Sequence, residues 1–176
     1  KPFVPVDCTG LRGHLLTQEL FGYVKDAFPG ATISHVGAYQ RAHGGTLYLS
    51  EVANLSIEAQ VFLLRAMREG VVFPLGSETS QKADVRVIAA TQENLAERVA
   101  AGDFLEHLFA AVSVITVDLP PLRERGSDIL RLAENYLREF GERYQREELT
   151  FSQDFKEALL DCAWPGNVRQ IGRAHV

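Results

Sequence analysis

Residues 44 to 51 read Gly44-Gly45-Thr46-Leu47-Tyr48-Leu49-Ser50-Glu51, a short apolar run that follows a Gly-Gly turn and closes on one acid. Such a run predicts a buried strand, and the carboxyl ends of strands are where open α/β sheets present their chemistry. In phosphoryl transfer a carboxylate at a strand end helps to hold Mg²⁺, and the acid beside it can polarise an attacking water. Ser50 stands at the first of these places and Glu51 at the second. A serine hydroxyl is neutral and a poorer Mg²⁺ partner than a carboxylate. The octet keeps a water-side acid and lacks a metal-side one. His14, His35, His43 and His107 show no ligand spacing such as HxxxH, and no metal site is expected.

The elements that must position these residues are legible in outline. Four strand candidates appear, at Phe3–Val6, Thr46–Leu49, Val85–Ala90 and Val114–Val117, the last three aliphatic or β-branched as burial on both faces requires. Helical patterns separate them. Ser56 can cap a helix carrying Ile57, Val61, Leu64 and Met67, and Asn94 can cap Leu95–Ala101, which ends at Gly102. Strands alternating with helices predict a parallel sheet of βαβ units. Pro120-Pro121 cannot continue a sheet ladder and marks a boundary. Beyond it Ile129, Leu132, Ala133, Tyr136, Leu137, Phe140 and Tyr144 form one apolar helical stripe. Ser152 then caps a helix with Phe155, Ala158, Leu159 and Cys162, and Trp164-Pro165-Gly166-Asn167 breaks it before another begins. The expected domains are an α/β part at 1–119 and a helical part at 120–170.

At 176 residues the chain is the size of one domain, or of one domain and part of a second. A hydrophobic content of 46 % excludes a mainly disordered chain, and a net charge of −5 gives no overall reason to bind DNA or an anionic membrane. Cys8 and Cys162 lie far apart without a CxxC pair; buried free thiols are expected, which suits a reducing cytoplasm. No apolar run approaches the ~20 residues of a membrane span, and no signal peptide opens the chain. Lys1 is not an initiating methionine, and Ile171–Val176 spells the translation of a common sequencing adapter. Residues 171–176 are therefore set aside as an expected artefact, and the chain is expected to be cut at both ends.

Five segments together resemble the AAA+ ATPase domain of bacterial enhancer-binding proteins, which activate the sigma-54 form of RNA polymerase. They are Glu19-Leu20-Phe21-Gly22, Gly44 to Leu49, Asp84 to Thr91, Leu119-Pro120-Pro121-Leu122-Arg123-Glu124-Arg125 and Trp164-Pro165-Gly166-Asn167-Val168-Arg169. The resemblance covers Phe3 to Arg169 and makes the Ser50-Glu51 octet a Walker B motif. It implies an α/β fold: an AAA+ P-loop NTPase-like parallel sheet lacking the P-loop strand, followed by a small helical lid. The P-loop of the family precedes Phe3, and no GxxxxGKS/T occurs in this chain. ATP and Mg²⁺ are the implied cofactors, with weak or no binding expected of this chain alone.

The resemblance also assigns roles, and several positions depart from them. Asp26-Ala27-Phe28-Pro29-Gly30-Ala31 aligns with the GAFTGA loop that contacts the polymerase; Phe28 and Gly30 are kept, Pro29 replaces threonine and Asp26 replaces glycine. Asp7 stands where the family has an asparagine that holds the Walker B glutamate, and two carboxylates in contact would repel or share a proton. Thr91-Gln92 matches a Thr-Asn pair that senses the γ-phosphate, one methylene longer. Leu105 and Ala111 stand where two arginines reach into the neighbouring subunit's nucleotide. Arg169 matches the sensor arginine of the lid; Arg123-Glu124-Arg125 is either a solvated linker, as charge clusters usually are, or the join between subdomains that the resemblance implies.

These departures lead to a regulator module whose ATP hydrolysis is impaired or absent. Its implied partners are sigma-54, copies of itself in an AAA+ ring, and DNA only through domains outside this chain; no membrane is implied. One alternative is a sigma-54-independent regulator that uses the domain for oligomerisation and for sensing nucleotide or cyclic dinucleotide. Another is one subunit of a mixed ring whose partner supplies the arginines.

Overall fold

The computed structural model describes residues 1–10, 13–146 and 148–173. It divides into two units, Lys1–Thr116 and Val117–Val176.

The first unit runs β1 (Phe3–Asp7), α1 (His14–Phe21), β2 (Gly22–Tyr23), β3 (His35–Val36), α2 (Ala38–Arg41), β4 (Thr46–Ser50), a 3₁₀ turn at Val52–Asn54, α3 (Ile57–Glu69), β5 (Val71–Val72), β6 (Gln81–Lys82), β7 (Arg86–Ala90), α4 (Leu95–Ala100) and α5 (Glu106–Val112). Among the described residues its main sheet has three parallel strands in the order β1-β4-β7. The central strand is the apolar run of the octet, with Leu47 and Leu49 wholly buried beside Leu16, Leu20, Phe21, Leu63 and Leu108. In-register pairing sets Asp7 opposite Ser50, and Ser50 opposite Ala90. Three consecutive strands thus end level, which is what gathers residues from distant parts of the sequence at one sheet end.

The fourth expected strand, Val114–Val117, does not form. Val114, Ile115 and Val117 are 80, 80 and 74 % exposed. The physical reason is that a strand is made by a hydrogen-bonded neighbour. The resemblance puts the P-loop strand between this segment and β7, and β7 is an edge of the sheet here.

The helix caps are where the sequence puts them. The Ser56 hydroxyl accepts from the Ala59 N–H and the Asn94 side chain from the Ala96 N–H. On α3, however, the inward face is Ala59, Gln60, Leu63 and Ala66, while Ile57 and Val61 are 44 and 50 % exposed. Gln60 is completely buried yet fully employed. Its Nε2 donates to the carbonyls of Leu55 (2.9 Å) and Asp103 (3.0 Å), and its Oε1 accepts from the Leu105 N–H (2.8 Å).

β2 and β3 pair antiparallel and frame the loop at 24–34. Gly22 sits at φ 75°, and a Cβ there would lie 2.4 Å from the His35 carbonyl, so the close approach of the two strands requires glycine.

The second unit holds a 3₁₀ turn at Leu122–Glu124, then α6 (Asp128–Tyr144), α7 (Gln153–Asp161) and α8 (Asn167–Arg173). Its core is Leu122, Ile129, Ala133, Leu159, Trp164 and Ile171. The α6 stripe is buried at its start and reaches solvent at Tyr144, 64 % exposed; Phe155 on α7 is 48 % exposed and stacks on Phe151. Trp164 Nε1 donates to the Leu159 carbonyl (2.8 Å), and the Asn167 side chain accepts from the Leu122 N–H (2.7 Å). Of the residues set aside as an expected artefact, Ile171 is 2 % exposed in this core and α8 continues to Arg173; residues 174–176 lie outside the described residues.

Candidate functional site

The level strand ends bring Asp7, Ser50, Glu51, Thr91 and Gln92 to one end of the sheet. Glu51 follows β4 in a left-handed conformation (φ 53°, ψ 50°) and starts the 3₁₀ turn. Its carboxylate is held from the β7 flank. Oε1 accepts from Gln92 Nε2 at 2.6 Å, and Oε2 accepts from the Gln92 N–H at 3.2 Å and from Thr91 Oγ1 at 3.4 Å. Glu51 is therefore in contact with the Thr91-Gln92 pair, and Gln92's extra methylene does not prevent it.

Asp7 is engaged on the opposite side. Its Oδ1 accepts from the Thr9 N–H (2.9 Å) and the Thr9 hydroxyl (2.7 Å). These two bonds, the hydroxyl's first and with a smaller contribution from Ser50, hold the Asp7 carboxyl below its ordinary value against the opposing effect of desolvation. Thr9 was not singled out by motif, although an acid followed two residues later by threonine is the signature of a side-chain turn.

Cys8 lies beneath this end, 1 % exposed, with its N–H donating to the Ser50 carbonyl at 3.0 Å. Burial first, then the Asp7 and Glu51 charges, push its thiol up to about 12. A thiolate is the reactive form, so Cys8 should be inert. Cys162 is only half-buried. Brief alkylation with iodoacetamide followed by peptide mass spectrometry should label Cys162 and leave Cys8 untouched until denaturant is added. Early labelling of Cys8 would show that this sheet end opens in the native state.

The loop residues fold back on their own base. Phe28 is half-buried, its ring edge-on to Tyr23 at 5.0 Å, and the Asp26 N–H donates to the Ala31 carbonyl at 2.8 Å across Pro29 and Gly30. Asp26 takes φ 64° and Gly30 φ 101°. At the loop's base Glu19 accepts from Arg41 Nη2 at 2.6 Å and meets His35 Nε2 at 3.2 Å.

Leu105 and Ala111 flank and occupy α5, both half-buried, with Leu105 packed against the main core. Neither side chain carries a donor. Arg169 is exposed on α8 in the helical unit, where Arg123 pairs with Glu124 at 3.4 Å and Arg125 Nε donates to the Pro120 carbonyl at 2.9 Å.

Among the described residues no group of three or more His, Cys, Asp or Glu is placed to hold a metal ion. Mg²⁺ in phosphate sites takes one or two carboxylates together with phosphate oxygens. The oxygen donors of Asp7, Ser50 and Glu51 fit that role and would suit no soft metal. Among the described residues no helix is long and apolar enough to cross a membrane.

A family model described as the Sigma-54 interaction domain matches residues 1–118, and one described as the AAA+ ATPase lid domain matches residues 123–174. The transcriptional regulatory protein XylR of Pseudomonas putida is 42 % identical over 174 residues, 99 % of this chain and 31 % of that protein. The Nif-specific regulatory protein of Rhizobium leguminosarum bv. trifolii is 41 % identical over 171 residues, 97 % of this chain and 48 % of that protein. The chain thus spans a third to a half of the length of these relatives. The crystal structure of NtrX from Brucella abortus in complex with ADP superposes with a TM-score of 0.87 at 35 % identity, covering 97 % of this chain and 37 % of NtrX; its ATP complex gives 0.84 at 34 %.

Proposed function

The chain belongs to the sigma-54 interaction domain family of AAA+ modules, and from that premise we propose that it is the ATP-binding module of a transcriptional regulator in which hydrolysis is impaired. The observation that carries this reading is the segment from Phe104 to Ala111. It forms α5 and its entry, packs Leu105, Leu108 and Phe109 against the core of its unit, and contains no arginine. An arginine finger contributes about 10³- to 10⁵-fold in rate.

NtrX is seen with ADP and with ATP, and the same ligands with Mg²⁺ are proposed here. Mg²⁺ bound with ATP would neutralise charge on the phosphates. In this reading Glu51 would orient a water and Thr91 and Gln92 beside it would sense the phosphate, while Arg169 would keep the sensor role that the resemblance implies. Sigma-54, a ring of like subunits and a cytoplasmic setting are the corresponding partners and place.

The chain of 176 residues should bind Mg·ATP only very weakly, because nothing in it supplies the backbone cradle and lysine of a P-loop. The full gene product should bind it and release phosphate far more slowly than intact relatives. Calorimetric titration of both, with phosphate release from the second, is the test. Micromolar affinity in the isolated chain, or full turnover in the gene product, would overturn the reading.

One observation favours the sigma-54-independent alternative. Phe28 rests on Tyr23 and Pro29 removes an N–H from the loop tip. Capture of sigma-54 by the gene product with a transition-state analogue bound would decide against it.

A further inference from the structure

We propose that Asp7 supplies the metal-side carboxylate that Ser50 lacks, so that the acid of this site has moved one strand over. The inference rests on the nucleotide-binding reading above and deepens it.

β1 and β4 are parallel neighbours, and Asp7 is the register partner of Ser50. Adjacent strands lie about 4.8 Å apart. An acid at position 7 and an acid at position 50 therefore reach the same volume beyond the sheet end, within the span of one water. Like charges directly opposite each other on paired strands are destabilising. The neutral Ser50 is what makes room for a charge at position 7. The pair holds one carboxylate and one neutral oxygen donor.

The surrounding bonds divide the labour. Glu51 is committed to β7's flank, both of its oxygens accepting from Thr91 and Gln92. Asp7 is anchored on the β1 flank by Thr9 through Oδ1, with a smaller contribution from the Ser50 side chain. Among the described residues no Lys, Arg or His forms an ion pair with it. The result is an oriented, exposed carboxylate whose Oδ2 is not used by Thr9 and can face a cation or its water, with Ser50 as its register partner and Glu51 next along the chain. A carboxylate whose only task was to close the Thr9 turn would be served equally well by asparagine, and this difference is what the experiment uses.

The test takes the full gene product with a non-hydrolysable ATP analogue and Mn²⁺ as a spin probe in place of Mg²⁺. Bound Mn²⁺ is read by electron paramagnetic resonance, and analogue binding without metal is read by calorimetry. Asp7→Asn keeps the turn and removes the charge; it should weaken Mn²⁺ binding roughly tenfold, the lower end of what partner groups around a metal typically contribute. The exchange variant Asp7→Asn with Ser50→Asp should recover the loss, since the acid returns to the same volume from the other strand. Ser50→Asp alone should bring no comparable gain. Unchanged Mn²⁺ affinity in Asp7→Asn would overturn the proposal. So would an exchange variant that melts normally, binds the metal-free analogue normally and still fails to recover. Failure of the unaltered protein to take up nucleotide at all would instead overturn the nucleotide reading itself, and this inference with it.

Discussion

Arginine placed at both positions 105 and 111 of the full gene product should raise steady-state phosphate release by about 10³- to 10⁵-fold, roughly 4–7 kcal/mol of barrier. The donors would act on a neighbouring copy's nucleotide, so the gain should depend on protein concentration through assembly. Either arginine alone should yield far less, because groups acting on one transition state are strongly non-additive. Leu105 packs against the core of its unit, so the replacement exposes apolar surface and costs on the order of 1–2 kcal/mol of stability. The long arginine stem can cover part of that surface, and the Leu105 N–H keeps its bond to Gln60, which uses only the backbone. Ser50→Asp added to the two arginines should contribute little, since it sets a second acid opposite Asp7. The comparison is phosphate release by the unaltered protein, the double variant, Ser50→Asp and the triple variant at matched oligomer concentration. An unaltered protein that already turns over like an intact relative would end the case for impairment.

Gln60→Leu should unfold the α/β unit at a much lower temperature. The substitution is close in volume and leaves the α3 backbone undisturbed, so its effect reports the three bonds. It strands the carbonyls of Leu55 and Asp103 and the N–H of Leu105 at a side chain with no exposure. Each unpaired buried group costs about 1–3 kcal/mol. Leucine's better burial offsets some of this, which leaves a loss on the order of 4 kcal/mol. At about 3–5 °C per kcal/mol for a unit of this size, the melting temperature should fall by roughly 12–20 °C. Calorimetry is the measurement, and an unchanged melting temperature would show that water reaches these groups. Because Gln60 ties α3 to the entry of α5, the same variant should also loosen the segment that carries Leu105.

The sequence revealed what depends on local pattern. β1, β4 and β7 announce themselves as short aliphatic runs, and Ser56, Asn94 and Ser152 as caps, because both signals lie within a few residues. Val114–Val117 carries the same signal and is no strand, since a strand also needs a neighbour and composition does not report one. Gln60 reads as a polar point on a helix face; its importance comes from carbonyls and an N–H up to 45 residues away. The strand-end residues were legible one by one, as Ser50, Glu51, Asp7, Thr91 and Gln92. Their connections were not. That Glu51 belongs to Gln92 and Asp7 to Ser50's side follows from parallel register between strands some 40 residues apart. On α3, Ile57 and Val61 extended the apolar pattern beyond the arc that the core covers.

The left-handed backbone at Glu51 bears on whether this site is eroding. A residue other than glycine, asparagine or aspartate in that conformation costs about 1–2 kcal/mol. Substitution by glycine would relieve it without steric penalty, so a position of this kind is where relaxed selection should first substitute, with a gain in folding stability. This chain carries glutamate there, the residue whose carboxylate Thr91 and Gln92 hold in place. Stability and the proposed phosphate chemistry would pull in opposite directions at this one residue. The chain thus keeps at position 51 a carboxylate on a backbone that would suit glycine better, while positions 105 and 111 carry no arginine.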